Sequence, residues 1–264
     1  MKTLLYFSAA TGLLLSLIAA EAGNPSIYRS FVAADAIQSD LLGPVRSVHK
    51  KTADVEKKDS LKATRENETL YDPSGYLLES RDIDLETGET ESTKRTYDEA
   101  GNLVSEEERK GTEAIKKRVR MMPERKRVIW ESTGPSGLKI TLAEMTFDRF
   151  GKEGEGRDYD AQGKLESQSR MRRDAQGRET EVVFSDAQGK PTDILKLTWD
   201  NRGFPTSEEH ESKAVKFTAK ITNEYPEVDQ HGNWTKKLSS VEFFENGEKT
   251  VASKRVETIT IEYY

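Results

Sequence analysis

The chain has no cysteine among its 264 residues, which excludes a disulfide framework, a thiolate metal site and a lipid-modified cysteine anchor. Histidine is almost as scarce. His49, His210 and His231 stand far apart, so neither a metal site nor a histidine-driven nucleophile is expected. There is no Gly-x-Ser-x-Gly, no phosphate loop, no His-Glu-x-x-His and no glycine fingerprint opening a helix. These absences predict a chain without catalytic residues, cofactor or metal. Apolar residues are also few: the hydrophobic set is 34% of the chain against 33% charged, with a mean hydropathy of -0.77. A compact sphere of this length buries a larger apolar share, so a thin architecture with most residues near solvent is expected. The net charge of -6, from 47 acids and 41 bases, is too mild to imply a particular partner.

The one long hydrophobic run lies at the start, from Leu4 to Ala20, after a single charge at Lys2. It ends in the small-residue pattern Ala20-Glu21-Ala22, the form of a secretory signal peptide cut between Ala22 and Gly23. Residues 1–22 are therefore read as signal peptide, residues 23–42 as a flexible or partly helical lead-in, and residues 43–264 as one β domain. No later run is apolar enough for a transmembrane helix, so the mature chain is expected to be exported to the periplasm, cell surface or medium.

What the chain does have, repeatedly, is the phrase Asp-x-x-Gly. It runs from Asp72 to Gly75, Asp98 to Gly101, Asp148 to Gly151, Asp160 to Gly163, Asp174 to Gly177, Asp186 to Gly189, Asp200 to Gly203 and Asp229 to Gly232. In a type I turn the leading Asp bonds forward to the backbone, and the Gly takes the left-handed conformation that closes a bulged hairpin. An aromatic precedes the Asp in five copies (Tyr71, Tyr97, Phe147, Tyr159, Trp199), and Leu77, Leu103 and Leu165 lie two residues past the Gly. The turn geometry pairs Tyr71 with Leu77, Tyr97 with Leu103 and Tyr159 with Leu165 across strands, all on one face. From Asp148 the phrases start 12, 14, 12 and 14 residues apart, which leaves no room for a crossover. Even increments should return each aromatic to an equivalent face. Degenerate turns at Glu86-Thr87-Gly88, Gly111, Pro123 and Gly134 to Gly137 fill the longer gaps. The fold class expected is all-β: an extended antiparallel meander of repeated hairpins with about 12–16 strands.

The copies Tyr71-Asp72-Pro73-Ser74-Gly75, Tyr97-Asp98-Glu99-Ala100-Gly101 and Tyr159-Asp160-Ala161-Gln162-Gly163 resemble the tyrosine-aspartate (YD) repeats of RHS-type proteins. The segments Gly43-Pro44-Val45, Asp229 to Lys236 and Ile259 to Tyr264 look like the start and close of short secreted members of that group. The resemblance implies cell-surface and carbohydrate contacts and carries over no catalytic residue. Large RHS proteins enclose a toxin; this chain is too short to wrap a cargo and carries no toxin domain.

One charged segment stands out as a candidate anion-binding stripe: Lys116, Lys117, Arg118, Arg120, Arg125, Lys126 and Arg127. The alternative favoured by the acidic run Glu106-Glu107-Glu108 is a solvated sheet with charges paired across strands, and a hairpin at Gly111 should set Lys116 opposite Glu106. No aromatics interleave with the bases, which argues against nucleic acid. Single aspartates already used by their turns argue against calcium. The function expected is a non-enzymatic interaction or structural module of the cell envelope, with a polysaccharide or protein as partner. The alternative is an envelope hydrolase acting on polysaccharide or peptide through carboxylates on one sheet face. Export has a direct test: intact mass of protein recovered from periplasm or medium should place the first residue at Gly23, and a full-length membrane-retained chain overturns the signal peptide.

Overall fold

The computed structural model describes residues 34, 36, 39, 41–56, 60–133, 139–213 and 215–264. The signal peptide, most of the lead-in and the turn at Gly134 to Gly137 lie outside the described residues. Sixteen antiparallel strands follow one another: β1 Val45–Val55, β2 Leu61–Tyr71, β3 Leu77–Asp84, β4 Thr90–Tyr97, β5 Leu103–Lys110, β6 Glu113–Met122, β7 Arg127–Thr133 and β8 Lys139–Phe147. The second half continues with β9 Glu153–Tyr159, β10 Leu165–Arg173, β11 Glu179–Asp186, β12 Pro191–Trp199, β13 Pro205–Ser212, β14 Phe217–Val228, β15 Trp234–Glu245 and β16 Glu248–Tyr263. Each strand pairs with its sequence neighbours, and β1 pairs with β16, so the meander closes into a barrel. Closure satisfies the two edges that an open meander exposes. Sixteen strands about 4.8 Å apart and tilted about 40° set opposite walls about 30 Å apart between backbones.

The turn chemistry is as expected. Asp72 Oδ1 accepts from the backbone N–H groups of Ser74 at 2.8 Å and Tyr76 at 2.9 Å, and Gly75 holds φ at 83°. The same two acceptances recur at Asp148, Asp160, Asp174, Asp186, Asp200 and Asp229. Gly88 and Gly111 also turn with positive φ, and Pro123–Arg125 forms a single 3-10 turn.

A register shift flanks each Asp-x-x-Gly turn, as between Leu70 and Tyr71, Thr146 and Phe147, Leu165 and Ser167, and Phe184 and Ser185, whereas the turns at Gly88, Gly111 and Pro123 carry none. Each bulge adds one residue and inverts the face on which the next turn's leading side chain falls. This corrects the expected parity. Tyr71 pairs with Leu77, Tyr97 with Leu103 and Tyr159 with Leu165, but the first two pairs share one face of the wall and Tyr159 with Leu165 falls on the other. From Asp148 the period is 26 residues, two strands and two bulged turns, which runs through Asp174 to Asp200 at one end of the barrel, and Asp72 and Asp98 at that end are also 26 apart, with the unbulged turn at Gly88 between them. Asp160 and Asp186 are likewise 26 apart, at the opposite end.

The two faces of the wall differ in crowding. On the face of Tyr71 and Tyr97, charged mid-strand side chains are buried: Glu106 is 5% and Arg95 12% exposed. On the opposite face the ion pairs Lys51–Glu66, Lys94–Glu79 and Lys220–Glu209 lie open to solvent. Side chains converge on the concave side of a cylinder, so the crowded face is the lumen. Its apolar clusters gather at the end that carries Asp72. One joins Ala34, Tyr76, Leu103, Val128, Trp130, Met145 and Phe147, and the other joins Ala36, Leu41, Val45, Val48, Tyr71 and Ile259. The described lead-in residues Ala34, Ala36 and Leu41 are thus packed against the inner wall.

Two glycines separate backbone strain from crowding. At Gly163, φ +77°, an added Cβ meets nothing within 4 Å, whereas at Gly177, φ +80°, it meets the Phe150 ring at 3.1 Å. Gly163→Ala should cost about 1–2 kcal/mol from the left-handed backbone alone, and Gly177→Ala clearly more. Urea titration of both variants reads the difference, and equal losses would show that Phe150 yields freely.

Candidate functional site in the barrel lumen

On β4 to β6 the inner wall is a charge ladder. Arg95 Nε donates to Glu106 at 2.9 Å, and Lys117 Nζ approaches the same carboxylate at 3.5 Å while also bonding Glu108. Burial pushes the Glu106 carboxyl up, but Arg95 and Lys117 outweigh it and hold it below the ordinary range. Towards the Gly111 end the ladder continues through Lys110 with Glu91 and Arg65 with Asp82, and there the side chains open to water: Lys110 is 65% exposed. The lumen is therefore packed at one end and wet at the other.

At the packed end a polar clasp ties the lead-in to the last top turn. Asn233 accepts the backbone N–H of Leu42 at 2.6 Å, and its Nδ2 donates to Leu42 O at 2.8 Å and to Tyr263 Oη at 2.7 Å. The Tyr263 hydroxyl donates in turn to Asp229. Burial and this bond to a carboxylate push Tyr263 up to about 12. Burial also pushes Asp229 up, but the Tyr263 hydroxyl and the N–H groups of Asn233 and His231 hold it below its usual value.

Across the lumen from the charge ladder, β11 to β15 carry an apolar panel. Phe184, Leu195, Leu197, Phe217, Ile221 and Phe243 all face inward by register and are only partly buried. Phe217 and Phe243 stack with ring centroids 5.5 Å apart. Polar groups are set into the panel: His210 Nε2 lies 3.6 Å from Asp193, and Glu208 accepts from Asn223 Nδ2 at 2.8 Å. Beside them, Tyr225 donates to Pro205 O at 2.9 Å, and burial, with Glu208 adding to it, raises its hydroxyl well above the ordinary value. An inner wall with one charged side and one apolar side suits an amphiphilic ligand.

The basic segment does not form one stripe. Alternation on β6 sends Lys117 into the lumen with Val119 and Met121, and sends Lys116, Arg118 and Arg120 outward. Glu106 faces Lys117 and Glu107 faces Lys116, one residue from the expected pairing, because the hairpin closes with Lys110 opposite Glu113. Arg120 bonds Glu131 at 2.9 Å and Arg127 bonds Glu144 at 3.0 Å, while Arg125 and Lys126 belong to the 3-10 turn and its left-handed cap. Among the described residues no group of three His, Asp or Glu could hold a metal ion, and no helix is long and apolar enough to cross a membrane.

No family model matches the chain, and no curated protein matches it. Among solved structures, a porin-like protein from Bacteroides uniformis is 11% identical with a TM-score of 0.43, the match covering 84% of this chain and 99% of that one. The toxin fusion TcdB2-TccC3 is 10% identical at a TM-score of 0.25, over 77% of this chain and 13% of its own. Kievitone hydratase from Nectria haematococca is 9% identical at 0.24, over 83% and 89%. The strand register and the two faces of the wall, not these likenesses, carry the functional reading.

The apolar panel escaped sequence reading because each bulge inverts parity, so that Phe184 and Phe217 reach the same surface only once every bulge is counted. Glu106 supplies a test of the inner ladder. Glu106→Gln leaves Arg95 and Lys117 buried without their shared counter-charge and should destabilise by about 3 kcal/mol. Because the Glu106 carboxyl is depressed in the folded chain, its contribution is present above its unfolded value and lost as pH falls below about 4. Denaturation from pH 7 downward should therefore show the wild-type advantage over the variant shrinking only in that acid range.

Proposed function

We propose that this chain is an exported, non-enzymatic binding module of the cell envelope, a YD-repeat barrel, and that its lumen is the binding surface. The observation that carries this reading is the incompletely buried panel of Phe184, Leu195, Leu197, Phe217, Ile221 and Phe243 on an inner wall that is charged on its other side. Barrels use such interiors to hold one ligand away from water.

The outer wall supports a water-facing location. A membrane-spanning barrel needs an outward apolar band about 25 Å tall. Here β1 to β5 turn His49, Lys51, Glu66, Glu68, Glu79, Arg81, Lys94, Glu107 and Arg109 outward, and outward apolar residues such as Leu70 and Val104 are scattered. The recurrence of the bulged Asp-x-x-Gly hairpin, at steps of 26 residues from Asp148 through Asp174 to Asp200, supports kinship with YD-repeat proteins.

An uncharged apolar naphthylamine dye should bind the full chain with enhanced fluorescence. Phe184→Glu and Phe243→Glu should each weaken it by roughly tenfold, about the worth of one lost apolar side chain. Leu70→Glu, on the outer face, should leave it unchanged. Dye binding indifferent to both lumenal variants overturns the lumen as the site, and co-purification from envelope extracts followed by mass spectrometry of extracted small molecules identifies the natural ligand.

A further inference from the structure

The indole of Trp130 is buried in the lumen with its one polar atom unanswered. On β7 it faces inward between Val119 of β6 and Ala143 of β8, and it is 6% exposed. Its Nε1–H is covered from solvent and has no acceptor within hydrogen-bonding distance. A buried tryptophan N–H ordinarily finds an acceptor, as Trp199 does in Glu179 O, because a bare one forfeits the bond it made with water. The strand is also irregular here. Its register against β8 shifts between Trp130 and Glu131, away from any Asp-x-x-Gly turn, and bulges of this kind re-aim side chains beside binding sites.

The chain's own lead-in packs into the same place. Ala34, fully buried, joins Trp130 in one cluster with Tyr76, Leu103, Val128, Met145 and Phe147. The bonds that hold the lead-in lie further along it: Ala36 N donates to Gly75 O at 3.1 Å, Leu41 N donates to Ala36 O at 2.8 Å, and Asn233 clasps Leu42. Ala34 is held by apolar contact alone, and its methyl group offers the indole no acceptor. Met121 and Met145 line this seat, and their unbranched side chains repack readily around a different occupant. Lys117, two residues along β6 from Val119, is already engaged by Glu106 and Glu108. A carboxylate would therefore lose its hydration here without gaining that counter-ion, whereas a neutral carbonyl needs only the indole donor.

We propose that the hollow around Trp130 is a ligand site, kept filled by Ala34 in the free protein, for a neutral apolar molecule that carries a carbonyl oxygen. Such a molecule replaces Ala34, buries its apolar body among Val128, Met145 and Phe147, and accepts the indole N–H. The inference rests on the lumenal reading only for access to the barrel interior. Its site on β6 to β8 is separate from the panel of Phe184 and Phe243.

The test is a magnetic resonance titration of the full chain with its tryptophan indoles labelled with nitrogen-15. The three indole signals are assigned with Trp199→Phe and Trp234→Phe. The probes are acetophenone, its isostere isopropenylbenzene, which has a methylene group in place of the oxygen, and benzoate as the anionic counterpart. Acetophenone should move the Trp130 indole proton downfield, and the other two should not. Trp130→Phe should lose roughly tenfold in affinity for acetophenone and nothing for isopropenylbenzene. Ala34→Glu puts a charge where the lead-in cannot keep it buried, and should raise acetophenone affinity several-fold. The proposal is overturned if the Trp130 signal stays still up to the solubility of acetophenone, or if isopropenylbenzene or benzoate moves it equally. An Ala34→Glu chain that binds acetophenone no better than the parent overturns it too. Should Trp130→Phe fail to fold, the signal of the parent chain still decides. Phe184→Glu should weaken the naphthylamine dye and leave the acetophenone shift unchanged, so failure of the panel and failure of this hollow are read apart.

Discussion

The structure depends on one carboxylate used twice. At turn after turn the Asp side chain accepts the backbone N–H groups two and four residues ahead, as Asp72 does from Ser74 and Tyr76. Those two bonds fix a type I turn followed by a left-handed glycine, and that glycine begins the bulge. At Asp98 the Asn102 side-chain and backbone bonds keep the acid below its usual range. At Asp174 and Asp200 the same kind of bonding overcomes a burial penalty that alone would raise it. Turn geometry, strand register and the choice of face for every side chain between two turns all descend from this contact.

A chain with so little apolar surface is stable in this form because a closed cylinder asks for little of it. Among the described residues every strand pairs with a neighbour on both sides around the ring, so there is no edge to cover. The apolar residues are concentrated where they matter most, in the clusters around Tyr76 and Val45 at one end and along the panel of Phe217 and Phe243. Elsewhere the walls are held by cross-strand pairs of opposite charge, such as Arg65 with Asp82 inside and Lys51 with Glu66 outside. Individually these exposed pairs contribute little, and they favour the observed register, since a slip of one residue would separate them.

Much of this was legible before any coordinates. The Asp-x-x-Gly phrases mark turns, the partners of Tyr71, Tyr97 and Tyr159 are those the turn type dictates, and the spacing forbids crossovers. Face assignment was not legible, because the even spacing of the phrases hides the extra residue that each bulge inserts, which inverts the faces after it; hence the outward Tyr159. The one-residue error at Lys116 has a different cause, the closing pair Lys110 and Glu113 of an unbulged hairpin. Closure was hidden too: β1 and β16 carry no signature of pairing beyond two compatible strands, and the partners Val48 and Ile261 stand more than 200 positions apart. The candidate site inherits the first difficulty, since it combines the faces of five strands.

That seam makes the order of assembly unusual. Fifteen of the sixteen strand pairings join immediate neighbours and can form locally as hairpins, whereas the sixteenth has the greatest sequence separation the barrel can offer. Long-range pairing bears the largest loop-closure entropy and is the slowest to form. Until β16 is in place, the outer edge of β1 remains an unpaired row of amides and carbonyls, open to any extended peptide nearby. A chain that folds after export would meet that interval outside the reach of cytosolic chaperones, and the charged residues Lys51 and Asp54 on β1, with Lys254 and Arg255 on β16, are the kind of edge residues that discourage a wrong partner during it.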